Sequence, residues 1–254
     1  AQGKQEEAEQ ELLTITKDEP DNDELLRVLG NFYIRTWRLD RVEKVYRDLL
    51  VKKPSSMVMR KVLAELSLSK GDLKQAREFN DAILKVQPDD VQSRFLRARL
   101  LSEDKDYKKA SEILASVLDD APDYAPAHYQ LGIVKWRSGN LDESRRALSK
   151  AITLSPQWIE PRLELAKLYL AGGDHKSAWQ ECQKILATHP NEPETLPIAA
   201  EAQLMKGDYN RALELLSQLQ KNYPKNSAAP MYFGAVYMAQ KKYAAASNAY
   251  EEAL

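Results

Sequence analysis

The sequence predicts an all-α fold, a stack of antiparallel helix pairs on a 34-residue repeat, and three observations carry that prediction. First, Pro20, Pro54, Pro88, Pro122, Pro156, Pro190 and Pro224 are each 34 residues apart, so seven of the 12 prolines share one phase. Second, the glycines share two further phases. With the repeat numbered from Asp23, Gly3, Gly71, Gly139, Gly173 and Gly207 fall at position 15, and Gly30, Gly132 and Gly234 at position 8; Gly172 alone misses both. Third, small and apolar residues keep the same period. Position 8 holds Gly30, Ala64, Ala98, Gly132, Ala166, Ala200 and Gly234, and position 20 holds Val42, Ala76, Ala110, Ser144, Ala178, Ala212 and Ala246. A fixed period of this length marks a solenoid, in which each unit buries its apolar face only against its neighbours.

Each element of the unit has a local cause. Helix A carries the small residue of position 8, which lets two helix backbones cross closely. Helix B carries position 20 and the apolar position 27, occupied by Leu49, Ile83, Val117, Ala151, Ile185, Leu219 and Ala253. Larger apolar residues around them at i, i+3 and i+4 spacing form the buried stripe. Between the helices lies a turn marked Gly-Asp or Gly-Asn, as in Gly71-Asp72, Gly139-Asn140 and Gly207-Asp208, where glycine supplies the left-handed residue that ends helix A. The phased proline closes helix B, because it lacks the N–H and biases the residue before it away from helix.

In this register residues 1–22 are the second helix of a truncated repeat, with Gly3, Ala8, Leu12, Ile15 and Pro20 in phase. Seven tandem units follow at 23–56, 57–90, 91–124, 125–158, 159–192, 193–226 and 227–254, in one continuous solenoid domain. The chain starts inside a repeat and ends without a polar capping helix, which solenoids need for solubility. The expectation is an excised fragment of a longer repeat protein, with any targeting sequence outside it.

Composition narrows the function. Of 254 residues, 43% are hydrophobic and 30% charged, which is an ordinary folded composition. The 37 basic and 38 acidic residues give a net charge of -1, against the basic excess of a general nucleic-acid binder. No apolar run reaches the roughly 18–20 residues that span a bilayer, and the first residues lack the basic-then-apolar layout of a signal peptide. Cys182 is the single cysteine and forms no internal disulfide, and His128, His175 and His189 lack metal-ligand spacing. There is no phosphate-cradling glycine loop, no HExxH and no CxxC. Carboxylate pairs such as Glu6-Glu7 and Asp119-Asp120 read as solvated faces. The sequence therefore predicts no enzyme, no metal and no cofactor.

The fourth unit reads AHYQLGIVKWRSGNLDESRRALSKAITLSP and resembles the tetratricopeptide repeat family from its first helix to its closing proline. The resemblance covers the whole chain. It implies a right-handed superhelical α-solenoid whose A helices line a concave groove that holds partner peptides. It assigns groove positions 2, 5, 9, 12 and 13, which lie on one side of an A helix. The N-terminal half then offers Arg27, Asn31, Arg35, Lys61, Glu65, Arg99 and Glu103, polar with basic character. The C-terminal half offers Tyr129, Ile133, Trp136, Leu163, Leu170, Leu204, Met205, Met231 and Met238, an apolar and aromatic stripe typical of peptide-binding surfaces. One subclass of the family grips a C-terminal carboxylate with lysine, asparagine and arginine. Arg27, Asn31 and Arg99 stand at comparable places, but Glu65 replaces an asparagine and Phe95 a lysine, which speaks against that clamp.

Some residues break the pattern. Arg97, Lys135, Gln203 and Asn80 stand where large apolar residues are usual, and are expected to snorkel outward, or else to line a polar pocket. Pro193 and Pro197 delay the first helix of the sixth unit, which is expected to start near Thr195 as its cap, with a local bend. Cys182, on the inner face of a helix B, is expected to be buried and inert.

The expected function is an interaction scaffold that holds a partner peptide or domain in its groove. The regular repeat and alanine-rich helices look bacterial, which brings in envelope assembly and exopolysaccharide export. Two alternatives stand beside it: a substrate-selecting arm of a larger enzyme, and a homo-oligomerisation module stacking through uncapped ends. Compartment, partner and pathway are not legible.

Overall fold

The computed structural model describes residues 2–19, 22–36 and 39–253; within these, the side chains at 2–4, 23, 34, 35, 39 and 40 lie outside the description. Pro20 and Leu254 of the expected repeat frame fall outside it too. The fold class is all-α, a solenoid of antiparallel helix pairs. The helices are α1 (Gln2–Asp18), α2 (Asp23–Arg35), α3 (Leu39–Lys52), α4 (Met57–Ser69), α5 (Leu73–Leu84), α6 (Val91–Glu103), α7 (Tyr107–Asp120), α8 (Ala125–Arg137), α9 (Leu141–Leu154), α10 (Ile159–Ala171), α11 (His175–Thr188), α12 (Thr195–Lys206), α13 (Tyr209–Asn222), α14 (Ala228–Ala239) and α15 (Tyr243–Glu252). The even-numbered helices from α2 to α14 are A helices. Where one continuous domain is the expectation, the chain divides into two compact units, Ala1–Pro122 and Asp123–Leu254, with the division at the phased Pro122 turn.

The A-to-B turns follow from backbone sterics. Gly71, Gly139, Gly173 and Gly207 hold φ between 77° and 84°, the left-handed region. Lys105 and Lys241 occupy the same repeat position and also hold positive φ, 64° and 62°. Each residue closes helix A with a paired motif: Gly71 N–H donates to the Leu68 carbonyl at 3.0 Å, and Asp72 N–H reaches back to Ser67 at 2.9 Å. The next residue then caps helix B. The Asp72, Asp106, Asp174 and Asp208 carboxylates accept from the N–H groups of Gln75, Lys109, Ser177 and Arg211 at 3.0–3.2 Å.

The glycines of position 8 answer to close approach. A Cβ on Gly132 would lie 2.6 Å from Leu148 Cγ, and one on Gly234 2.4 Å from the Tyr250 ring. In the first unit a Cβ on Gly30 would lie 2.6 Å from the Tyr46 hydroxyl, which donates to the Leu26 carbonyl. The unit of residues 1–122 has a core of Leu26, Leu29, Tyr33, Tyr46, Met59 and Leu63, continued by Ala64, Ala76, Leu96 and Leu100. The unit of residues 123–254 is centred on Leu163, Ala166, Cys182, Ile185, Leu196, Leu216 and Leu219.

Three expectations are corrected here. Asn80 and Gln203 do not snorkel; they are 1% and 2% exposed, because a short amide at the inner position of a helix cannot reach water past the next repeat. Asn80 Nδ2 donates to the Ser93 carbonyl at 3.1 Å. Arg97 does reach solvent, and Lys135 ends in an ion pair with Glu143 at 2.7 Å. Thr195 opens α12 but is not its cap: Glu194 holds that place, and Thr195 Oγ1 is buried without a partner.

Candidate functional site

In the unit of residues 1–122, the A-helix face is charged and largely paired within the chain. Lys61 Nζ donates to Asp90 Oδ2 at 2.6 Å and to Gln92 Oε1 at 3.2 Å. The Arg99 guanidinium donates to Glu65 at 2.5 Å and lies 5.7 Å from the centroid of Phe95. Lys61 and Arg99, two of the four expected basic groove residues, are thus neutralised by acidic neighbours. Arg27 and Asn31 are exposed. The side chain of Arg35 lies outside the described residues.

In the unit of residues 123–254, α8 packs on α10, α10 on α12, and α12 on α14. Their common face carries Met205, Met231 and Met238, which are 44%, 58% and 47% exposed. Met231 and Met238 are two helical turns apart on one side of α14. Tyr129, Ile133, Trp136 and Leu204 are half-buried. Tyr129 and Trp136 rest on Leu148, Leu165 and Leu168, so part of each ring is core and part is surface.

Leu163 and Leu170 are corrected. They are 3% and 8% exposed and belong to the core around Cys182 and Leu196. The large apolar residues at the start of α12, Leu196 and Ile198, pack in that same core, so these leucines hold the unit together and are not open to a partner.

Residues the sequence reading left out surround Tyr129. Its ring meets Trp158 with centroids 4.9 Å apart and an interplanar angle of 55°. Burial first, then the carboxylates of Glu164 and Glu160 and more weakly Glu194, push the Tyr129 phenol up to about 12, with Arg137 opposing. Glu164 accepts from Lys167 at 2.7 Å, and Glu160 and Glu194 are exposed. Further along, the Tyr232 hydroxyl donates to Glu201 Oε2 at 3.0 Å, and burial followed by that carboxylate pushes it up to about 12. A spacing signal existed for the aromatic pair: Tyr129 and Trp158 are 29 residues apart, as are Lys61 and Asp90, which also touch.

Cys182 is buried, and burial pushes its thiol up to about 12, with Glu181 adding to the shift. Among the described residues no group of three His, Cys, Asp or Glu side chains could hold a metal ion, and no helix is long and apolar enough to cross a membrane.

Comparison with known proteins completes the description. Models described as tetratricopeptide repeat match residues 61–126, and 101–152 with 135–201. A model described as anaphase-promoting complex, cyclosome, subunit 3 matches residues 171–253. Among curated proteins, tetratricopeptide repeat protein 21B of Xenopus laevis is 29% identical over 89 residues, which is 35% of this chain and 7% of that protein. Among solved structures, the type IV pilus biogenesis factor PilW is 19% identical with a TM-score of 0.73, covering 82% of this chain and 97% of its own. Cut9-Hcn1 of the APC/C is 17% identical with a TM-score of 0.69, covering 98% and 49%. YrrB, described as having an unusual peptide-binding site, is 17% identical with a TM-score of 0.55, covering 68% and 90%. At these identities the likenesses to solved structures are likenesses of fold.

Proposed function

Since the chain belongs to the tetratricopeptide repeat family, whose repeats build protein interaction scaffolds, we propose that it binds a partner peptide or domain on the A-helix face of residues 123–254. The observation that carries this reading is the exposure of Met205 on α12, together with the half-buried Leu204 on the same helix and Tyr129, Ile133 and Trp136 on α8. An exposed, flexible thioether beside half-buried aromatics forms an adaptable apolar surface, and a partner gains by covering it. The matching face of residues 1–122 spends its charges on internal pairs, so it offers a partner less. We read the chain as a scaffold without a reaction of its own, because no nucleophile and base converge on the site.

The test compares retention of native proteins by the wild-type chain and by a Met205→Gln, Trp136→Ala variant of equal helicity by circular dichroism. Loss of specific partners from the variant supports the reading. Equal retention moves the binding surface elsewhere.

A further inference from the structure

The chemistry of the same face also narrows what it binds. Tyr129 and Trp158 form a tilted aromatic pair, both rings half-buried and both presenting surface. Trp158 is the N-cap residue of α10, and Glu160 and Glu164 follow on the first turns of that helix. Glu194 caps α12, the next A helix. Glu164 has Lys167 as its ion partner; Glu160 and Glu194 carry none among the described residues. An aromatic face flanked by unpaired carboxylates attracts a cation twice, through the ring quadrupole and through the charges. The nearby basic groups, Lys167 and Arg137, do not balance the three carboxylates. Farther along α12, Glu201 adds a fourth carboxylate one turn before Met205 and accepts from Tyr232.

We propose that this face takes a partner segment bearing a lysine or arginine, seated on the Tyr129–Trp158 pair among Glu160, Glu164 and Glu194, with an apolar residue farther along it covering Met205. The inference rests on the A-helix face being the working surface. The geometry sets the spacing. Packed helices lie about 8–10 Å apart, and an extended chain advances about 3.3 Å per residue, so a residue that covers Met205 on α12, one A helix from α10 and two from α8, lies about three to six residues from the cation. The carboxylates supply steering and selectivity, and the apolar contacts supply residence time. Acidic segments are rejected, because they would set carboxylate against carboxylate.

The test is a selection of displayed random 16-residue peptides on the full chain. The expected winners carry Lys or Arg with a Leu, Met or aromatic residue about three to six positions away. A Glu160→Gln, Glu194→Gln variant binds the best winner about tenfold more weakly, and added salt weakens wild-type binding but has less effect on the variant. Winners without basic residues that still depend on Met205 overturn the cation site and leave the face reading standing. Winners indifferent to Met205→Gln overturn both, as does a selection that enriches nothing.

Discussion

Lys105 and Lys241 hold a backbone conformation that four other turns give to glycine. A left-handed residue with a Cβ costs about 1–2 kcal/mol, while glycine adds about 0.5–1 kcal/mol of unfolded-state entropy to be lost on folding. The first term wins, so Lys105→Gly raises the melting temperature modestly, by up to about 1 kcal/mol of stability, measured by thermal circular dichroism. The reverse holds at Gly132, where the new Cβ of an alanine would sit 2.6 Å from Leu148 Cγ and 3.3 Å from its backbone nitrogen. Alanine gains about 1 kcal/mol of helix propensity over glycine, but overpacking against backbone costs about 1–3 kcal/mol, so Gly132→Ala lowers the melting temperature. Cys182 was legible from its place on helix B. With its thiol pushed up to about 12 by burial and by Glu181, it stays protonated at pH 8 and reacts with a disulfide reagent only as the chain opens. Fast labelling of the native chain would contradict that placement.

At the scale of elements, the turns were the most legible feature, because one steric requirement recurs at one phase. The start of α12 was legible to within a residue, since Pro197 is tolerated only in a first turn. Its cap was not, because Thr195 and Glu194 are equally polar in the sequence and only the backbone path decides between them. The cap aspartates make the helices acid-sensitive. The Ser177 hydroxyl and N–H hold Asp174 below the usual carboxylate range. Burial alone would raise Asp90, but Lys61 and Ser93 outweigh it and hold it low. A depressed folded value means the stability is present above the unfolded pKa, about 3.9, and is lost as pH falls through the lower folded value. Urea melts should therefore weaken below about pH 4, and Asp90→Asn should show a shallower loss. Asp208→Ala removes the bond to Arg211 N–H and costs about 1 kcal/mol.

At the scale of the molecule, the periodic apolar pattern carried the all-α solenoid class, while the division at Pro122 depends on packing between helices that no single phase encodes. The candidate face was half legible. Position within the repeat placed Met205 at the surface, but it could not show that Leu163 and Leu170 are covered by side chains the next repeat brings in. Likewise Lys61 and Arg99 read as free cations until Asp90 and Glu65 are set beside them. The two classes of apolar residue differ in a measurable way. Leu163→Ala or Leu170→Ala opens a core and costs about 2–5 kcal/mol, whereas Met205→Gln stays within about 0.5 kcal/mol of wild type in a urea melt. The most direct measurement of the central claim is site-specific photo-crosslinking in the native cell extract, with a photoreactive residue placed at the exposed Met205 on α12 or at the exposed Gln183 on helix B α11. The account predicts discrete adducts with a partner from Met205 and none from Gln183; adducts from Gln183 with none from Met205 would contradict it.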